Sequence, residues 1–98
     1  MNNEQKKFLE SVKRLEIQKV QNLIQEGISP NFFTGNSLLK SPLHYAVNLK
    51  DMKMVRLLVE KGDAKVDQST LLPCSFLDDS RCLEIGSYLI QFLSQDKN

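Results

Sequence analysis

The chain holds one histidine, His44, and two cysteines, Cys74 and Cys82. A protein-bound metal needs three or four ligands at suitable spacing, and this set does not supply them. Two cysteines are also too few for a disulfide framework, so both are read as reduced thiols in a cytosol-like compartment. Charge of one sign is missing too: 13 Lys and Arg face 12 Asp and Glu, for a net charge of +1. The basic stripe that marks a nucleic-acid binder is therefore absent. No stretch approaches the roughly 20 apolar residues that span a bilayer. The N-terminal residues 1–7 lead into no apolar run of the kind that follows in a secretory signal. A Gly-rich phosphate loop, Gly-x-Ser-x-Gly and His-Glu-x-x-His are all missing. No cofactor, nucleic acid or membrane is expected.

What remains is an ordinary soluble composition, 41% hydrophobic and 26% charged, in 98 residues. That length suits one small domain, which buries only about two-thirds of its unfolded surface. Met1 and the polar residues 94–98 suggest a complete small protein.

The informative stretch is Ser41-Pro42-Leu43-His44-Tyr45-Ala46, followed by Met54-Val55-Arg56-Leu57-Leu58-Val59-Glu60-Lys61-Gly62. It resembles one ankyrin repeat, which opens Thr-Pro-Leu-His-x-Ala and closes Val-Val-x-Leu-Leu-Leu-x-x-Gly. Weaker copies flank it. Placing Gly27 on Gly62, an offset of 62 − 27 = 35, sets Val20 on Val55, Leu23-Ile24 on Leu58-Val59 and Phe8 on Leu43. An offset of 73 − 42 = 31 sets Pro42 on Pro73, Tyr45 on Phe76 and Leu58-Val59 on Leu89-Ile90. The resemblance implies an all-α solenoid of helix-turn-helix units with projecting finger loops. It would fill residues 1–98 as one domain, with repeats at about 4–36, 37–69 and 70–94 and a polar tail at 95–98. The outer repeats are degenerate, as end caps are, and stacking is what lets each bury its apolar face.

Local signals agree. Ser41 is a good N-cap, and Pro42 suits the first helical turn. Leu43, Ala46 and Val47 share one helical face. Helices are expected at 4–13, 16–26, 42–49, 52–61, 73–79 and 82–94, with fingers at 28–41 and 63–72. Gly62 is expected just past a helix end in the conformation that glycine favours. The turns within the helix pairs, which carry glycine in the family, here carry Leu15, Lys50 and Arg81. The first finger is longer than the family spacing, and the stretch Gly62–Asp67 carries an extra residue. Gly86, inside a helix, implies either close approach of another element or a relaxed cap.

An enzyme reading would pair His44 with Cys74 or Cys82 as nucleophile. The resemblance gives His44 a structural role instead, bonded to the hydroxyl at Ser41 and to nearby backbone. The cysteines read as buried thiols, with a reactive Cys82 at a helix start as the alternative. Asp78-Asp79 reads as solvated or as contacts for a basic partner. Phe92 either folds back or marks an apolar patch on the last helix, through which the chain would form a weak homo-oligomer.

In proteins like this the fingers and the outward residues of the first helix of each pair meet a protein partner. That implies a groove with Glu10, Lys13 and Arg14 at one end, Tyr45, Asn48 and Leu49 in the centre, and Phe76, Asp79 and Ser80 at the other. The long finger adds Phe32, Phe33, Leu38, Leu39 and Lys40 to this surface, with Phe32 and Leu39 evenly open to tucking back over the stack. Aromatic and Arg residues concentrate interface energy, so Arg14, Tyr45 and Phe76 lead. The expected function is a small non-catalytic adaptor or inhibitor, with a thiol-based enzyme or a self-assembling module as alternatives.

Overall fold

The computed structural model describes residues 2–71 and 80–95. The order is α1 (Asn3–Lys13), α2 (Ile17–Gln25), α3 (Pro42–Asn48), α4 (Met52–Arg56) running into a π turn (Leu57–Lys61), α5 (Gln68–Leu71) and α6 (Ser80–Gln95). No strand occurs among the described residues. The elements form two layers. Helices α1, α3 and α5 pack side by side, while α2, the α4–π segment and α6 form the second layer behind them. The expected helix at 73–79 lies outside the described residues.

Burial explains the layering. The spacing predicts inward stripes of Val20, Leu23 and Ile24 on α2 and of Val55, Leu58 and Val59 on the α4–π segment; all are buried except Ile24, which is half-buried. They close on Phe8, Val12, Leu43, Ala46 and Val47 from the other layer, each 0–1% exposed. Removing one such side chain from water contributes about 1.5–3 kcal/mol. The core cluster runs without interruption from Phe8 to Leu89, so no helix pair owns a core of its own.

Hydrogen bonds set where the helices start. Asn2 and Gln5 form a reciprocal capping box, with Gln5 N–H donating to Asn2 Oδ1 at 2.8 Å. Asp51 Oδ1 accepts from Met54 N–H at 2.9 Å. Asp67 starts α5 in the same manner, accepting from Thr70 N–H at 3.2 Å while its own N–H donates to Thr70 Oγ1 at 3.1 Å. That box turns part of the expected 63–72 loop into helix. Ser41 departs from expectation: it occupies the N-cap position of α3 but makes no capping bond, because its hydroxyl is engaged by His44.

The turns hold strain. Leu15 at φ 56° and Lys50 at φ 59° are left-handed, at roughly 1–2 kcal/mol each for a residue with a Cβ. Arg81, expected as the third turn, instead lies inside α6. Gly62 also departs from expectation. Its φ is −93°, and the left-handed residue is Asp63 at φ 60°. The shift locates the extra residue of this repeat. Leu15 and Lys50 are 50 − 15 = 35 apart, whereas Gly27, at φ 98°, and Asp63 are 63 − 27 = 36 apart. The added residue is absorbed between them by the wider π turn, whose bonds reach one residue further than α-helical ones. Gly62 is there for space: a Cβ would stand 2.8 Å from Leu58 O, 3.1 Å from Pro30 Cγ and 3.2 Å from Ile24 Cδ1.

The last helix is tied to the outer layer by a small cluster. Tyr88 Oη donates to Glu60 Oε2 at 2.6 Å, and Arg56 Nε reaches the same oxygen at 3.1 Å. The Tyr88 ring meets Phe92 edge-on at 5.2 Å. Burial and the Glu60 carboxylate push the Tyr88 phenol up to about 12. Phe92 is half-buried and folds back onto the stack. Ile90, which the offset sets on buried Val59, is 54% exposed.

Two helical glycines should respond oppositely to alanine. Nothing lies within 4 Å of a Cβ at Gly86, so close approach does not explain it. Gly86→Ala should stabilise by about 1 kcal/mol, raising Tm by roughly 4–8 °C. Gly62→Ala should destabilise by about 1–3 kcal/mol through overpacking. Thermal denaturation of both variants beside the wild type checks the pair of signs.

Candidate functional site

The first finger and the loop after the π turn meet at His44. Ser41 Oγ lies 2.8 Å from His44 Nδ1, and His44 Nε2 lies 3.0 Å from Ser69 Oγ. Ser69 Oγ in turn donates to Asp67 Oδ1. The chain of donors fixes the tautomer. Ser69 spends its proton on Asp67, so it accepts from His44 Nε2–H. Nδ1 is then bare and accepts from the Ser41 hydroxyl. Neutral His44 is fully satisfied; a protonated ring would aim a second N–H at a hydroxyl that is already donating. Burial holds its pKa below the ordinary value and Lys40 works in the same direction, against Asp67. Asp67 is pushed up by desolvation, but the bonds from Ser69 and Thr70 outweigh this and hold it below the usual carboxylate range. Sequence reasoning gave His44 a structural role; its partners Ser69 and Asp67 went unnoticed, since only the folded loop brings them near.

Asn31 ties the same two loops. Its Nδ2 donates to Asp63 O at 3.0 Å and its Oδ1 accepts from Lys65 N–H at 2.8 Å. Beyond it the finger is closed on itself. Thr34 N–H donates to Lys40 O at 3.0 Å and Thr34 Oγ1 donates to Leu39 O. Asn36 Oδ1 accepts from Leu38 N–H at 2.8 Å and Leu39 N–H at 3.0 Å. This ordered tip leaves Phe33 62% and Leu38 78% exposed. Phe32 and Leu39 are half-buried. Phe32 packs edge-on to Phe8 at 6.2 Å, which commits it to the scaffold.

On the face of α1 and α3, Lys13 Nζ sits 5.2 Å from the ring centroid of half-buried Tyr45. That contact sets the end of α1 and the centre of α3 on one surface, with Asn48 and Leu49 exposed beside it. Arg14 is exposed and 3.6 Å from Glu10, so the basic end of the expected groove is partly neutralised. Phe76 and Asp79 lie outside the described residues. Between finger and loop lies a cleft of about 350 Å³, whose lining includes Phe33, Lys40, His44 and Lys65. Lys65 was not expected there. Cys82 is 4% exposed, against the idea of a solvent-reactive thiol; Cys74 lies outside the described residues.

Residues 39–71 match the family model of the ankyrin repeat. No curated protein and no solved structure matches the chain. The ankyrin repeat thus takes in α3, the α4–π segment and α5, including all of the His44 network except the more distant finger. Ankyrin repeats are modules of protein–protein interaction and are generally non-catalytic. No helix among the described residues is long and apolar enough to cross a membrane.

The network makes stability depend on pH. An unfolded histidine takes up a proton near pH 6.5, while folded His44 resists until lower pH. Between those two values the unfolded chain binds more protons, so stability falls as pH drops through that window. Denaturant unfolding should give a lower stability at about pH 5.5 than at about pH 7.5. With one histidine in the chain, His44→Gln should be less stable at both pH values and should largely lose the difference.

Proposed function

We propose that this chain is a small non-catalytic binding protein, an adaptor or inhibitor, that grips one protein partner with its finger tip and the α1–α3 face. One observation carries the reading. Phe33 and Leu38 stand in solvent on a loop whose own hydrogen bonds hold it in place. Exposed apolar side chains on an ordered loop are a common mark of an interaction site, and an ordered loop has little conformational freedom left to lose on binding. The face beside it offers Tyr45 with Lys13 stacked on it, and Asn48, Leu49 and Arg14 around it. Phe76 and Asp79 belong to the same proposed surface by their place in the third repeat. The whole chain is proposed as one domain of three units, in a cytoplasmic setting.

Capture experiments from the native cell test this. Bait carrying Phe33→Ala and Tyr45→Ala, shown folded by circular dichroism, should lose its partner. An interface anchor contributes about 2 kcal/mol or more, roughly thirtyfold in affinity. Full retention of the partner by the folded variant would sink the assignment of this surface.

A further inference from the structure

The cleft between finger and loop shows what kind of partner segment it fits, an inference that rests on the binding reading above. Its neutral polar groups are already bonded to one another. Asn31 spends its amide on Asp63 O and Lys65 N–H. His44 spends both ring nitrogens on Ser41 and Ser69. Asp67 is engaged by Ser69 and Thr70 through Oδ1. Two ammonium groups and one aromatic ring remain. Lys40 and Lys65 line the cleft with Phe33, and neither lysine has an ion-pair partner among the described residues. Free cations beside an exposed ring call for a ligand that carries carboxylates next to apolar side chains.

We propose that this cleft receives an acidic segment of a partner protein, its carboxylates against Lys40 and Lys65 and an adjoining apolar side chain against Phe33. A nucleic-acid strand fits less well. The chain's net charge is +1, and a strand is held by neutralising many phosphates along a basic stripe, whereas this cleft offers two ammonium groups beside one phenyl ring.

His44 provides a built-in reporter, since it is the only histidine and lies in the lining. A carboxylate seated beside it would favour the imidazolium and raise its pKa, as removal of the Lys40 charge would. The test starts from short peptides selected from a randomised display library on the folded full chain. Selected peptides should be rich in Asp or Glu next to Leu or Phe. Their affinity should fall roughly tenfold or more on Lys40→Glu/Lys65→Glu, and should weaken with added salt, as expected for exposed charge pairs. Proton NMR titration should show the His44 pKa moving up with such a peptide and not with its Asn/Gln counterpart. Neither lysine side chain supports the fold through a described ion pair, and circular dichroism confirms the variant. Selection of peptides without acidic enrichment, no selection at all, equal binding by the charge-reversed variant, or displacement by a single-stranded oligonucleotide would overturn the proposal. If selected peptides depend on Tyr45 but not on the lysines, this inference falls while the protein-binding function stands.

Discussion

No helix pair in this chain can keep its apolar stripe dry alone, and everything else follows from that. Val55 and Leu58 of the α4–π segment share one core with Val20 and Leu23 of α2 and Ile85 and Leu89 of α6. Stability in such a stack is a sum of weak units and neighbour interfaces. A slip between neighbours would expose several core side chains at once. The polar ties between repeats guard against it. Asn31 bonds the backbone at Asp63 and Lys65, and Tyr88 joins α6 to Glu60. Each spans neighbouring units, and each works only when the stack is in register.

The periodic part of this design was legible in the sequence. The inward stripes, five of the six expected helices and the Ser41–His44 bond were readable because they depend on local spacing and on one well-formed motif. Other features were not. The extra residue near Gly62 was countable, but its absorption in a π turn was not, because many placements share the same sequence. Ser41 read as a cap, since hydroxyls at that position usually cap; the competing imidazole three residues on won. The start of α5 at Asp67 was hidden inside an expected loop, although the Asp67-x-x-Thr70 pairing is a local signal that could have shown it. Ile90 read as core by analogy with Val59. Placement on α6 depends on how that helix rolls against its neighbours, which the offset does not encode.

The candidate surface divides along the same line. Tyr45, Asn48 and Leu49 follow from helical geometry once α3 is fixed. The finger does not, because no periodicity governs it. Phe32 and Phe33 are adjacent and chemically identical, yet one packs on Phe8 and the other stands in solvent. Successive side chains on an extended segment point to opposite sides, so a sequence reading can expect one in and one out without knowing which. Helix α1 decides: Phe8 offers an edge to Phe32. Lys65 was missed for a related reason, since its relevance exists only when the loop after the π turn closes against the finger through Asn31.

This arrangement separates what must be kept from what can vary. His44, Asn31 and Phe32 face inward or bridge repeats, and changing them would loosen the stack. Phe33, Leu38, Lys40 and Lys65 share the same loops but contribute little described packing or pairing. Loss of their side chains would cost the fold little. The loop is tied by Thr34 and Asn36, anchored by Phe32 and still exposes Phe33 and Leu38. The His44 network adds a condition. It keeps the floor of the cleft neutral and internally satisfied at neutral pH, so the two lysines supply the charge that a ligand feels there, set against the single committed carboxylate of Asp67.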